Sequence, residues 1–214
     1  LPGSVRVVVL RAEGKSFSAG LDRQAFTPEG FDGEPSFIDL ARGDDAELDA
    51  TIAEYQEAFA WWRRSDIVSV AAVQGHAIGA GFQLALACDL RVVADDVQFA
   101  MRETSLGLVP DLTGTHPLVG LVGYARALEI CVTGRFVTAE EAVNTGLANV
   151  AVPADQLDDT VRDLASAVLA APRDAVIETK ALLRGAQDRT YEAQRGAERQ
   201  AQARRLRDLA GIGE

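Results

Sequence analysis

Cysteine, histidine and basic charge are all scarce in this chain, and each shortage removes a class of function. Only Cys88 and Cys131 occur among the 214 residues. They lie far apart and without metal-ligand spacing, so they form no disulfide framework and favour a reducing, cytoplasmic setting. Both sit in apolar surroundings and read as buried thiols. His76 and His116 are the only histidines; the first reads as a packing residue at a turn, and the second, beside Pro117, receives no role. The 21 basic residues against 32 acidic ones leave a net charge of −11, which repels phosphate backbones and argues against a general nucleic-acid binder. The arginines of 199–207 are mixed with Glu198, Asp208 and glutamines and read as a solvated helix face. No segment reaches transmembrane length, and no basic stretch followed by an apolar one opens the chain. Neither a membrane nor export is implied.

What the chain does have is a hydrophobic content of 48%, enough to bury a sizeable core in one large domain. Residues 5–10 alternate little and read as a strand buried on both faces. A first strand this apolar, in a chain that begins with Leu1, implies a neighbour upstream that this sequence lacks. Residues 13–22 read as a structured loop of small residues around Phe17. The span 27–46, with Pro28, Gly30, Gly33, Pro35 and Gly43, shows no period and reads as an exposed, mobile connection. Leu48, Ile52, Tyr55, Phe59 and Trp62 recur at helical spacing. Strands over 67–73, 90–94 and 97–100 alternate with a helix from Ala80, the pattern of parallel α/β layering. Helices follow over 118–122 and 125–132, and Thr138 three residues before Glu141 has a capping-box spacing. A short strand at 147–152 stops at Pro153. Helices over 157–170, 174–185 and 191–209 complete the chain, the last polar nearly all round. The division expected is an α/β core over 1–152, lacking its N-terminal part, and a helical region over 153–214.

The most informative stretch is Val73-Gln74-Gly75-His76-Ala77-Ile78-Gly79-Ala80-Gly81-Phe82-Gln83. It reads as a strand ending in a helix N-terminus, where backbone N–H groups lack intrahelical partners and the helix dipole is positive. Gly79, Ala80 and Gly81 put no bulky side chain between those donors and a negative oxygen. Gly75, Gly79 and Gly81 are spaced four then two, which fails the dinucleotide fingerprint. Two further features stand out: the loop Ser18-Ala19-Gly20-Leu21-Asp22, and the acids Glu103 and Asp111 flanking Leu106-Gly107-Leu108-Val109-Pro110.

Together these segments, in this order and with Thr133-Gly134-Arg135 through Ala139-Glu140-Glu141-Ala142 to Gly146-Leu147 after them, resemble the crotonase superfamily, the enoyl-CoA hydratase and isomerase family. The likeness runs from Val5 to about Arg184. It implies the ClpP/crotonase-like fold, an α/β architecture of stacked ββα units with a helical C-terminal region that makes homotrimers or pairs of trimers. It also implies an acyl-CoA substrate, with coenzyme A entering as part of that substrate and no metal or other cofactor. By position, the backbone N–H groups of Leu21 and Ala80 would hold the thioester oxygen, with Ala19, Asp22 and Gln83 around the substrate. Such donors stabilise an enolate oxygen more than the starting carbonyl, at roughly 3 to 4 kcal/mol per donor. Glu103 would carry the proton; read alone, it is equally a surface acid paired with Arg102.

Two positions depart from the hydratase pattern. Gln83 stands where typical hydratases carry a second glutamate, and an amide orients water but exchanges no proton at ordinary pH. One carboxylate suffices to move a double bond, so isomerisation is expected ahead of hydration. Asp111 stands where many members have glycine. It matches the acid of family members that isomerise 3,5-dienoyl thioesters, and read alone it caps the helix after Leu112. A noncatalytic acyl-CoA-binding member is the alternative from another class. Trp61 and Trp62 read as core and acyl-pocket lining. Lys180 reads either as a contact for a phosphate of coenzyme A or as a surface lysine.

Overall fold

The structure, a computed structural model, describes residues 1–28, 30 and 36–212. The opening strand is β1 (Val7–Arg11), followed by the loop through Ser18 and a single 3-10 turn at Arg23–Phe26. Then come α1 (Phe37–Leu40), α2 (Asp45–Ala60), β2 (Val68–Val73), β3 (His76–Ile78) and α3 (Ala80–Ala87). The strands β4 (Leu90–Ala94) and β5 (Gln98–Ala100) precede α4 (Thr115–Val122) and α5 (Tyr124–Thr133). The chain continues through β6 (Val137–Thr138), α6 (Ala139–Asn144), β7 (Val150–Val152), α7 (Leu157–Ala170), α8 (Arg173–Gly185) and α9 (Tyr191–Leu209).

Two sheets are stacked by a repeated device. One strand enters a four-stranded parallel sheet of order β1-β2-β4-β7, and the next few residues enter a second sheet of order β3-β5-β6. Thus β2 leads through Gln74 and Gly75 into β3, and β4 leads into β5. The first unit follows the same path, because β1 leads to Ser18, which bridges Ala77 of β3 in parallel. Gly75 makes the tight step between the sheets. Its φ is +56°, and a Cβ there would stand 2.2 Å from the Lys15 carbonyl oxygen.

Central strands read as unbroken apolar runs because both faces are covered. Val70 and Ala72 of β2, with Val92 and Ala94 of β4, pack under Leu157 and Val161 of α7. The intervening Ala71, Val73 and Val93 join Phe82, Phe99, Leu118 and Ile130 in the larger core. Phe82 and Phe99 meet with ring centroids 4.9 Å apart. β1 pairs only with β2 and forms the edge of its sheet among the described residues. Cys88 is buried, and its burial pushes the thiol up to about 12, so it is inert at neutral pH.

Three expectations change. The span 27–46 is not all open connection: Ser36 is buried and caps α1 through its hydroxyl, and Phe26 stacks on Phe37 at 5.2 Å. Residues 29 and 31–35, including Gly33 and Pro35, lie outside the described residues. The capping box is half formed, since the Thr138 hydroxyl accepts from Glu141 N–H while the Glu141 carboxylate pairs with Arg135 and Arg126. Lys180 is neither a surface lysine nor a phosphate contact. Its ammonium donates to Asp89 Oδ2 at 2.6 Å and to the carbonyls of Arg64 and Ile67 at 2.6 and 2.7 Å.

That buried group ties α8 to β2 and β4, because Asp89 Oδ2 also accepts from Ser69 N–H. Removing one member of a buried pair leaves the other charge uncompensated. Lys180→Met should therefore lose about 3 kcal/mol of unfolding free energy in urea denaturation at neutral pH. A loss within about 0.5 kcal/mol would mean that the pair stabilises nothing.

Candidate active site

Three parallel segments end side by side, and their exits build the site. Ser18 N–H donates to the His76 carbonyl, and Ile78 N–H donates back to the Ser18 carbonyl, at 2.9 and 3.0 Å. On the other side of β3, Ile78 is in register with Ala100 of β5, and Gly79 N–H donates to the Ala100 carbonyl at 2.8 Å. The loop after Ser18, the start of α3 and the turn holding Glu103 therefore leave the sheet at neighbouring positions. Carboxyl ends of parallel strands are the usual place for a ligand.

Small residues let these exits approach. A Cβ on Gly20 would stand 2.7 Å from the Ile78 carbonyl oxygen and 3.8 Å from Ala80 N, and its φ of +92° suits glycine. A Cβ on Gly81 would stand 2.6 Å from Ser18 Cβ and 2.8 Å from the Ser18 carbonyl oxygen. Ala80 is the first residue of α3 and Leu21 lies in the adjoining loop. Among the described residues, neither N–H has a partner. The Leu21 side chain is exposed, so its contribution to the site is its backbone. Arg91 holds the far end of α3, donating to the carbonyls of Cys88 and Ala85 from a buried guanidinium that desolvation lowers to about 10. A cation there complements the helix dipole.

Glu103 opens a 3-10 turn (Glu103–Leu106) three residues after β5. Its carboxylate lies 3.4 Å from where a Cβ on Gly79 would be, directly beside the start of α3. It does not pair with Arg102, whose guanidinium lies over the Phe136 ring at 5.1 Å. Instead Gln83 Nε2 donates to Glu103 Oε1 at 2.7 Å. The other oxygen, Oε2, is buried and has no partner among the described residues. With Oε1 engaged as an acceptor, a proton on this acid resides on Oε2.

Gln83 is fully buried, and its polar atoms are used within the chain. Its Oε1 accepts from Leu112 N–H at 2.9 Å and from Gly114 N–H at 3.3 Å. The residue read from the sequence as a substrate contact thus clamps Glu103 to the loop over 111–114. Gln56 of α2, which sequence reasoning missed, donates to the Asp111 carbonyl at 2.6 Å. No local signal marks Gln56, because its partner lies 55 residues away.

Asp111 does not cap a helix: α4 begins at Thr115, with Gly114 at the cap position and no side-chain bond there. Burial pushes the Asp111 carboxyl above its ordinary value, although its own backbone N–H acts in the opposite direction. Asp22 caps the turn Arg23–Phe26 by accepting from Gln24 N–H at 2.9 Å, and Ala19 is an exposed link between Ser18 and Gly20. His76 packs its ring edge-on to Phe136 at 6.0 Å, and His116 is exposed on α4. Trp62 packs against the core and meets Trp61 edge-on at 5.0 Å.

Thr113, also missed, has φ of +66° and is the one non-glycine residue with positive φ among the described residues. For a β-branched side chain that conformation costs on the order of 1 to 3 kcal/mol. Its hydroxyl is buried and unpartnered.

Comparisons with known proteins place the whole chain. The profile of the enoyl-CoA hydratase/isomerase family matches residues 3–208. A "Probable enoyl-CoA hydratase" of Bacillus subtilis is 33% identical over 146 residues, which cover 68% of this chain and 52% of that protein. The chain thus spans about half the length of that relative. A carnitinyl-CoA dehydratase of Salmonella arizonae is 34% identical over 199 residues, covering 88% of this chain and 67% of the relative. A crystal structure from Thermobifida fusca YX, assigned as an enoyl-CoA hydratase and solved with acetoacetyl-CoA, superposes with a TM-score of 0.92 at 51% identity. That match covers 97% of this chain and 80% of the other.

The raised Asp111 carboxyl has a consequence for stability. A group whose folded value exceeds its free value of 3.8 supports folding below 3.8 and loses that support as pH rises through the folded value. Asp111→Asn should therefore melt at a higher temperature than the parent at pH 7, with the advantage shrinking toward about pH 4. An equal melting temperature at both pH values would contradict the desolvated placement of the carboxyl.

Proposed function

Because the chain belongs to the enoyl-CoA hydratase/isomerase family and has its crotonase fold, we propose that it moves a double bond in an unsaturated acyl-CoA by way of a thioester enolate. The observation that carries this reading is the single proton-exchanging group beside the start of α3. Gln83 donates to Glu103 Oε1, which leaves Oε2 as the oxygen that takes and returns hydrogen.

The steps follow from the placement of these groups. The thioester oxygen accepts from the N–H groups of Leu21 and Ala80, at the positive end of α3. Glu103 Oε2 removes a proton from carbon 2 of a 3-enoyl chain, and the electron pair spreads over carbons 2 to 4 and the thioester oxygen. The same oxygen then delivers the proton to carbon 4, which leaves the double bond between carbons 2 and 3. No second acid is required, and water plays no part. Coenzyme A is carried in as part of the substrate. Assembly as trimers or pairs of trimers would use the C-terminal helices, where Leu183, Leu206 and Leu209 are exposed.

Addition of water to a 2-enoyl chain is the second reading, favoured by the names of the relatives, a hydratase and a dehydratase. It would need a further group to hold the water, because the Gln83 oxygen already accepts two N–H groups. A 3,5-dienoyl substrate would bring in Asp111 as a second acid, and a noncatalytic acyl-CoA binder would turn over none of these thioesters.

Purified protein offered 3-enoyl and 2-enoyl thioesters separates these readings. Glu103→Gln should lower isomerisation by roughly 10² to 10⁴; an undiminished rate would remove Glu103 as the proton carrier. Gln83→Glu places a second carboxylate where the amide nitrogen now stands 2.7 Å from Glu103 Oε1. The two acids must then share a proton. The ratio of hydration to isomerisation should rise about tenfold or more, and an unchanged ratio would show that the amide does not set the choice of reaction.

A further inference from the structure

Thr113 carries two costs. Its β-branched side chain sits at φ of +66°, where glycine would be free of strain, and its hydroxyl is buried without a hydrogen bond. The N–H groups of Leu112 and Gly114, on either side, both donate to Gln83 Oε1, and the Asp111 carbonyl accepts from Gln56. The loop is therefore held at its neighbours while the threonine hydroxyl is left unpaired.

The position of that hydroxyl relative to the reaction follows from the contacts. Ala80 starts α3, Glu103 lies against Gly79, and Gln83 is one helical turn further along. The loop at 112–114 rests on Gln83, closely enough that a Cβ on Gly114 would stand 2.7 Å from Gln83 Cγ. Gln83 is therefore shared: its amide nitrogen holds Glu103 and its amide oxygen holds the loop that carries Thr113. Among the described residues, three buried side-chain polar atoms lack partners. Two of them, Glu103 Oε2 and Thr113 Oγ1, belong to segments that Gln83 ties together, and the third belongs to Arg205 in α9.

We propose that Thr113 is a specificity-determining residue whose hydroxyl hydrogen-bonds an oxygen atom carried on the acyl chain beyond the thioester carbonyl or brought there as water. This assignment rests on the acyl-CoA reading given above and narrows it. A chain with an oxo or hydroxyl oxygen would satisfy the hydroxyl, whereas a plain hydrocarbon chain would leave it unpaired. Sites built to hydrogen-bond a substrate oxygen discriminate strongly against analogues that lack it.

The test uses binding, which requires no turnover. Acetoacetyl-CoA, which carries an oxo group, and butyryl-CoA, which does not, are titrated calorimetrically into the parent, Thr113→Val and Thr113→Ser. The parent should prefer acetoacetyl-CoA by roughly tenfold or more. Thr113→Val should lose most of that preference and Thr113→Ser should keep it. If instead the preference is unchanged in Thr113→Val but water addition to crotonyl-CoA falls about tenfold and returns in Thr113→Ser, the oxygen is that of water. Thr113→Gly should melt above the parent, because it removes both the strained side chain and the unpaired hydroxyl. Thr113→Ala replaces the valine variant if that one does not fold.

Thr113→Val that matches the parent within about twofold in both the binding ratio and water addition would overturn the assignment. The two readings fail separately. Loss of turnover in Glu103→Gln, together with an unaffected binding ratio and unaffected water addition in Thr113→Val, removes Thr113 alone. A binding preference that depends on Thr113, in a protein that isomerises nothing, removes the reaction assignment and leaves Thr113 standing.

Discussion

Parallel pairing of three short segments is the constraint from which the site follows. The stretch at Ser18, β3 and β5 lie side by side, joined by Ser18 to His76, Ile78 to Ser18 and Gly79 to Ala100. Parallel strands leave a sheet in the same direction, so the three connections that follow emerge together. One supplies the Leu21 amide, the next the Ala80 amide, and the third Glu103. Gly20 and Gly81 permit the approach because a Cβ at either would collide with the neighbouring segment. The core serves this geometry: Phe82 on α3 and Phe99 on β5 pack together and fix the two exits relative to each other.

Around this frame, amides rather than charges hold the acid. The neutral donor on Gln83 fixes Oε1 of Glu103 and leaves Oε2 unpaired. The nearby Arg102 is drawn off to the Phe136 ring, and Lys180 is consumed by Asp89, just past the C-terminal end of α3. Away from the acid, the pair of Lys180 with Asp89 and the buried Arg91 at the end of α3 are engaged within the chain. Strain is found at Thr113, next to the chemistry, where a rigid clamp from two glutamines can hold it.

Much of this was legible in the sequence where the signal is local. The start of α3 at Ala80 could be read because an apolar strand, a run of small residues and a helical repeat follow one another within a dozen positions. The strands β2, β4 and β5 and the helices α7 and α9 fall within a residue or two of their expected bounds. What could not be read depends on partners distant in the chain. Gln83 gives no sign that Leu112 and Gly114, 29 and 31 residues later, take up its oxygen. Lys180 looks like a helix-surface residue until α8 is laid against the carbonyls at 64 and 67. The buried Ser36 and the short α1 lie in a span rich in glycine and proline, where composition suggests openness and packing against Phe26 decides otherwise. Thr113 was invisible for a related reason: positive φ at a β-branched residue has no sequence signature.

The central claim is that the amides of Leu21 and Ala80 and the Oε2 oxygen of Glu103 act on one thioester to form an enolate. The most direct measurement is exchange of the carbon-2 hydrogens of butyryl-CoA with deuterium oxide, followed by mass spectrometry, since this step precedes any choice between moving a double bond and adding water. The account predicts exchange catalysed by the parent and slowed by roughly 10² or more in Glu103→Gln. Exchange at the parental rate in that variant, or none above the uncatalysed rate in the parent, would contradict it.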